Sequence, residues 1–427
     1  MRLQIGLSAS RHKGPLRFCS DACQVWPQPD SGNYSYGYDG RMQIHSLKAF
    51  SLSIPFRTEF SHAGGHRSCT ESIIVRVLSR DGIAGYGEGT PRSYVTGETV
   101  ESSLAYIRDV LWPAIAGADF APLDCGGNPE NILSAVSKGW PELQRNDVLA
   151  FNAAICALEL AIIDCILKTH SISLSSILPP VRNEVFYSGV IGFAPTAHAA
   201  QLAGYYQSMG LRSMKVKTDR EHGIDFITAV RAAAGDKMNI RLDANGAYSH
   251  TEAETFIRGI SGLGITCFEQ PIKRGDVREF ASLQMVSPVP LMADESLVTM
   301  NDAAELVRAR ACSFFNLRIS KCGGIFRTLR MAKIARAAGI RMQIGCLVGE
   351  TAILSAVGRT LAAYLPETEH LEGSFGSYLL CEDVSAEDIR FGRGGRADLL
   401  SGPGLGITVR DDLLEKYRGE TIVLEAS

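Results

Sequence analysis

Lys215 and Lys217 lie two residues apart in SMKVKTD (213–219), where Met214 and Val216 alternate with them. In a strand, alternate side chains point the same way, so both amines share one face. Buried side by side, two ammonium groups repel, and each favours loss of a proton. A lysine brought toward neutrality is a competent general base. Three acids follow downstream, Asp243 in RLDAN, Glu269 in CFEQP and Asp294 in LMADES. If they meet at one point, their repulsion calls for a divalent cation. Oxygen ligands without His or Cys favour Mg²⁺, with Mn²⁺ as the substitute. A base beside such an ion suits removal of the proton α to a carboxylate, because the ion stabilises the enediolate that forms. Arg318 and Lys321 in NLRISKCGG, and Glu350 in GCLVGET, extend the set.

The elements that must position these residues are legible as patterns. Short apolar runs at Val185–Val190, Ser213–Lys217, Ile240–Asn245, Cys267–Gln270, Leu291–Asp294, Phe315–Ile319, Met342–Cys346 and His370–Glu372 read as strands. Helical patterns fill the gaps, for example 221–234, 249–260, 300–310 and 324–338. This beat predicts a parallel β/α barrel over 184–400, with the chemistry at the C-terminal strand ends. The competing open sheet lacks a GxGxxG after an early strand. Upstream, MQIHSLKAFSLSI, ESIIVRVLS and IAGYGEG alternate as antiparallel strands turning at Arg80-Asp81-Gly82. Amphipathic residues 100–115 and an almost wholly apolar 147–168 then read as helices. Residues 42–183 are therefore an α+β cap. Residues 401–427 are expected to pack back on it, and residues 1–41, rich in Gly, Ser, Pro and Tyr, form an extension outside the core.

The chain of 427 residues is 45% hydrophobic and 21% charged, enough apolar side chain for a sizeable core. A net charge of −3 with no basic stripe excludes a general nucleic-acid or anionic-membrane binder. No apolar run reaches membrane-span length and no signal-peptide pattern opens the sequence. Eleven scattered cysteines without a CxxC pair point to free thiols in a reducing cytoplasm.

Taken together, K-x-K, D-x-N, E-Q-P, A-D-E-S and K-C-G-G resemble the enolase superfamily in its muconate-lactonizing branch. GYGEGTPRSYVTGET (85–99) and the 147–168 segment are similar as well. The resemblance spans about Met42 to Gly406. It implies a modified (β/α)7β TIM-type barrel under an α+β cap, and commonly a homo-oligomer. It makes Asp243, Glu269 and Asp294 the Mg²⁺ ligands, Lys217 the base, Lys215 its neighbour, and Asn245 a supporting residue. The substrate it implies is a small carboxylate.

The departures bear on the reaction. Most members carry a second lysine where this chain has Arg318, and racemases of the branch use both amines. Arginine stays protonated and is a poor base, although it can hold a carboxylate or steady an enolate. Lys321 is then the remaining candidate for an opposite-face base. The Asp-x-Asp that dipeptide epimerases use for an ammonium is reduced to Glu372 in HLEGSFGS, and RMQIGC lacks a catalytic His. Elimination or cycloisomerisation is thus expected before epimerisation of an amino acid derivative. A barrel that binds metal and acid without turnover is the third alternative. In the cap, His62, His66 and Arg67 of FSHAGGHRSCTES, with Tyr94 and Thr96, are expected to meet the substrate.

Overall fold

The computed structural model describes residues 42–62, 65–120 and 149–426. The 1–41 extension and the first two residues of the expected 147–168 helix lie outside them. The cap strands are β1 (Met42–Leu52), β2 (Pro55–His62), β3 (Gly65–Cys69), β4 (Ser72–Ser79), β5 (Ala84–Gly89) and the short β6 (Asp119–Phe120). β1, β4 and β5 pair antiparallel, and the expected turn joins β4 to β5 with Gly82 at φ 80°. The 100–115 stretch is helical throughout but changes pitch, with a π-turn at Ile107–Leu111 between two α segments.

Glycines dictate how the cap closes. In AGYGEG, Gly85, Gly87 and Gly89 share one strand face, against the helix Asn152–Thr169. A Cβ at these positions would stand 2.1, 2.0 and 2.1 Å from the carbonyl oxygens of Ala161, Ala157 and Ala153. Two strand residues advance about 6.6 Å and four helical residues about 6 Å, so the two rows run in step. The helix is buried from Asn152 to Leu167, as its apolar pattern requires.

The barrel strands are β8 (Gly189–Ile191), β9 (Ser213–Lys217), β10 (Asn239–Asp243), β11 (Ile265–Glu269), β12 (Leu291–Ala293), β13 (Phe314–Arg318), β14 (Arg341–Gly345) and β15 (Thr368–Leu371). They form one curled parallel sheet in chain order. Its two ends meet where the Ser188 N–H donates to the Leu371 carbonyl at 2.9 Å. The intervening helices include Ile224–Ala234, His250–Ile260, Met300–Ala309 and Ile325–Ala337, close to expectation.

One strand requires correction. The run expected as a single strand over Val185–Val190 divides into β7 (Glu184–Phe186) and β8. β7 leaves the barrel to pair antiparallel with β16 (Arg396–Asp398). The break falls at Tyr187-Ser188, whose backbone amides are taken by Gly395 and Leu371. β17 (Arg418–Glu425) pairs antiparallel with β1 and forms an edge of the cap sheet.

Buried acids tie cap to barrel. Glu88 of β5 accepts from the Thr351 amide and hydroxyl, at the N-terminus of the helix Ala352–Tyr364. Glu159 of the long cap helix accepts from the Phe326 amide at 2.9 Å, in the first turn of Ile325–Ala337. Helix N-termini present unpaired N–H groups and a positive dipole end, which suits both acids.

Candidate active site

Register aligns the first part of the site. Lys217, Asp243 and Glu269 end β9, β10 and β11 and are direct cross-strand neighbours. Asp294 follows β12, Arg318 ends β13, and Glu372 follows β15. The three acids are fully buried. Lys217 Nζ donates to Asp243 Oδ2 and to Asn245 Oδ1, each at 2.6 Å. Lys215 Nζ is 2.7 Å from Glu372 Oε2, 3.3 Å from Asp243 Oδ2 and 3.6 Å from Glu269 Oε1. Arg318 Nη2 is 3.2 Å from Glu269 Oε1 and ion-paired with Asp294 Oδ2.

The electrostatics follow from this interleaving. Burial alone would drive the Lys215 ammonium to lose its proton, but Glu269, Glu372 and Asp243 outweigh it and hold its pKa above the ordinary lysine range. Burial likewise raises the Asp243 carboxyl, yet Lys217, Lys215 and Arg318 pull it well below the usual range. Glu269 is pushed up to about 7 by burial and by Asp243. The lysine pair is therefore stable in the interior because carboxylates surround it, and Lys215 itself is firmly charged.

Small polar residues fix these groups. Asn245, at φ 44°, donates from Nδ2 to Glu295 Oε1 at 2.9 Å while accepting from Lys217. Gln270, at φ 39°, is a site residue that the sequence pattern does not reveal. Its Oε1 accepts from the amides of Asp294 and Ser296, both at 3.0 Å, and its Nε2 donates to the Ile272 carbonyl and Ser296 Oγ. It fixes the loop that carries Asp294. The E-Q-P motif was the available signal, but a buried amide announces no partner in sequence. Asn316 and Gln343 donate to Glu269 at 2.8 and 3.2 Å.

Above the acids lies a cavity of about 370 Å³. Lys215, Lys217, Asn245, Arg318, Glu350, Glu372 and Tyr94 line it. Its outer wall adds Phe193, His198, Leu202, Tyr206 and Tyr378, none of them singled out from sequence because they converge from separate loops and helices. Glu350 accepts from the Leu347 amide at 2.6 Å, and burial pushes its carboxyl up to about 8. Glu372 lines the cavity but is already engaged by Lys215 and, at 2.9 Å, by Arg241.

Three expected residues stand off this wall. Lys321 Nζ donates to the Asp294 carbonyl, Asp294 Oδ1 and the Asn316 carbonyl at 2.8, 2.9 and 2.8 Å, which uses its three protons beneath the cavity. Thr96 donates to Glu98 at 2.7 Å inside the cap. Arg67 is ion-paired with Glu71. The side chains of His62 and His66 lie outside the described residues.

The donor chemistry of Asp243, Glu269 and Asp294 suits a hard dication. Shared partners bring the three acids together: Lys215 Nζ lies within 3.6 Å of Asp243 and Glu269, and Arg318 Nη2 meets both Glu269 and Asp294. Cationic side chains stand between the acids.

Comparison with known proteins adds the following. Residues 197–413 match the family model described as enolase C-terminal domain-like. N-succinyl-L-Arg/Lys racemase of Bacillus cereus is 28% identical over 381 residues, 88% of this chain and 98% of that protein. The crystal structure of muconate lactonizing enzyme from Pseudomonas fluorescens complexed with muconolactone is 28% identical and covers 88% of this chain and 100% of its own, with a TM-score of 0.79. The dipeptide epimerase from Enterococcus faecalis, solved with Mg and L-Leu-L-Tyr, is 28% identical, with 86% and 100% coverage and a TM-score of 0.74.

Proposed function

Because this chain belongs to the enolase superfamily, we propose that it removes the proton α to the carboxylate of a small organic acid, with Lys217 as the base. Asp243, Glu269 and Asp294 would hold Mg²⁺, which supplies charge stabilisation to the enediolate oxygens. Lys217 takes the proton, and Asn245 aims it. Lys215 keeps a positive charge beside the developing anion. Arg318 meets the substrate carboxylate or the enolate from across the ring, since β9 and β13 lie four strands apart in the eight-stranded order.

One observation carries the choice of reaction. Lys217 and the Arg318 guanidinium line the same cavity, and the amine of Lys321 has all its protons committed. With a guanidinium in place of an amine at the end of β13, the enediolate is best discharged by loss of a β-substituent or by opening of a ring in the reverse of cycloisomerisation. Glu372, held by two cations, does not favour a free substrate ammonium. The second reading is racemisation or epimerisation of an amino acid derivative, which the activities of two of the relatives favour.

Turnover in D₂O with Mg²⁺ separates the two, across a panel of sugar acids, N-acylamino acids, dipeptides, hydroxyprolines and lactones followed by NMR. The one-base reading expects an eliminated or isomerised product, with unreacted substrate keeping its configuration. Deuterium at the α-carbon of both enantiomers would establish the second reading in its place.

A further inference from the structure

Arg318 is the cation that touches both Glu269 and Asp294, and it also lines the cavity. Lys321 meets only Asp294 of the three acids, from below. Lys215 meets Asp243 and Glu269 but is anchored to Glu372. Arg318 Nε is buried and donates to no acceptor, so the guanidinium's hydrogen bonding is incomplete in this position. A guanidinium spanning two carboxylates occupies the place a dication between them would need. Two such cations in contact repel strongly where solvent is excluded.

From this juxtaposition we propose that Arg318 is an internal counter-ion that competes with the divalent cation for Glu269 and Asp294, and swings into the cavity when an anionic ligand offers it a carboxylate. This rests on the reading of Asp243, Glu269 and Asp294 as the metal ligands. A lysine at this position would leave the pair more readily, since its single ammonium cannot fork across two acceptors. In consequence the free protein binds metal weakly, and carboxylate ligand and metal favour each other's binding through the movement of one side chain. The chain thereby keeps its buried acids neutralised before the ion arrives.

The test is Mn²⁺ binding to the full-length protein, read by the free-ion EPR signal and by calorimetry, with no substrate present. Arg318→Met is expected to bind Mn²⁺ at least about tenfold more tightly than wild type, in keeping with the coupling of close buried charges. If Arg318→Met does not fold, Arg318→Lys is read instead, and about threefold tightening or more is expected. With sodium benzoate as the carboxylate probe, wild type should gain more Mn²⁺ affinity than the variant does. Unchanged or weaker Mn²⁺ binding in the folded variant overturns the counter-ion role alone. Mn²⁺ binding that persists undiminished in Glu269→Gln, or its absence from wild type and variants alike, overturns the ligand assignment, and the proposal with it.

Discussion

Lys217 and Asn245 are joined by a 2.6 Å hydrogen bond from Nζ to Oδ1, and the same asparagine donates its amide to Glu295. The amide thus holds the base from one side while Asp243 holds it from the other. Asn245→Ala should lower kcat by roughly 10–100-fold with a small effect on KM, as expected when a supporting contact to a reactive group is lost. The left-handed backbone there, φ 44°, adds a stability cost of about 1 kcal/mol for alanine. Thermal melts measure that cost apart from steady-state kinetics.

Arg318→Lys places an amine across from Lys217. A group able to return a proton on the opposite face should then appear, and the variant is expected to racemise substrate that wild type leaves in one configuration. Polarimetry, or chiral chromatography of unreacted substrate, reads this directly. Unchanged configuration after many turnovers would mean that the residue's position, and not its chemistry, bars racemisation.

Much of this site was legible because barrel chemistry falls at strand ends, and strand ends are marked by where apolar runs stop. Lys217, Asp243 and Glu269 close their strands as their patterns required. The split of Val185–Val190 was not legible, because VFYSGV has the composition of one strand and only tertiary partners for Tyr187 and Ser188 divide it. The acid that pairs with Lys215 was not legible for a similar reason. Lys217 is two residues from Lys215 in sequence, but Glu372, which pairs with Lys215, is over a hundred and fifty residues away. Glu159 left a signal that was not used: an acid inside an apolar, buried helix needs a partner elsewhere, and Phe326 supplies it.

Gly87 has no room for a methyl group. A Cβ there would lie 2.0 Å from the Ala157 carbonyl oxygen and 2.6 Å from the Ala161 nitrogen, both backbone atoms that cannot rotate away. Gly87→Ala should destabilise the protein by about 3 kcal/mol or more by forcing helix and strand apart. Gly82→Ala is the control for chain entropy, since nothing lies within 4 Å of its Cβ and only its φ of 80° is strained. Chemical denaturation should rank Gly87→Ala as the more damaging.

Burial pushes the Glu159 carboxyl from 4.5 up to about 8. Between those values the folded protein keeps a proton that the unfolded chain has released, so raising pH favours unfolding. Glu88, pushed up to about 7 by burial, acts in the same direction. Stability should therefore decline from about pH 4.5 to about pH 8 through these two groups. Glu159→Gln should flatten the upper part of that decline. Denaturation midpoints at half-unit pH steps, compared between wild type and variant, check it; parallel curves would mean Glu159 does not titrate in this window.

The proposed role of Lys217 is to move the α-proton. The most direct measurement is exchange of that proton for deuterium in D₂O with Mg²⁺, for wild type and Lys217→Ala on the same carboxylate substrate. Wild type should show exchange or turnover, and the variant should lose at least about a thousandfold, the scale of a general base's contribution. Exchange that persists at the wild-type rate without Lys217 would contradict it.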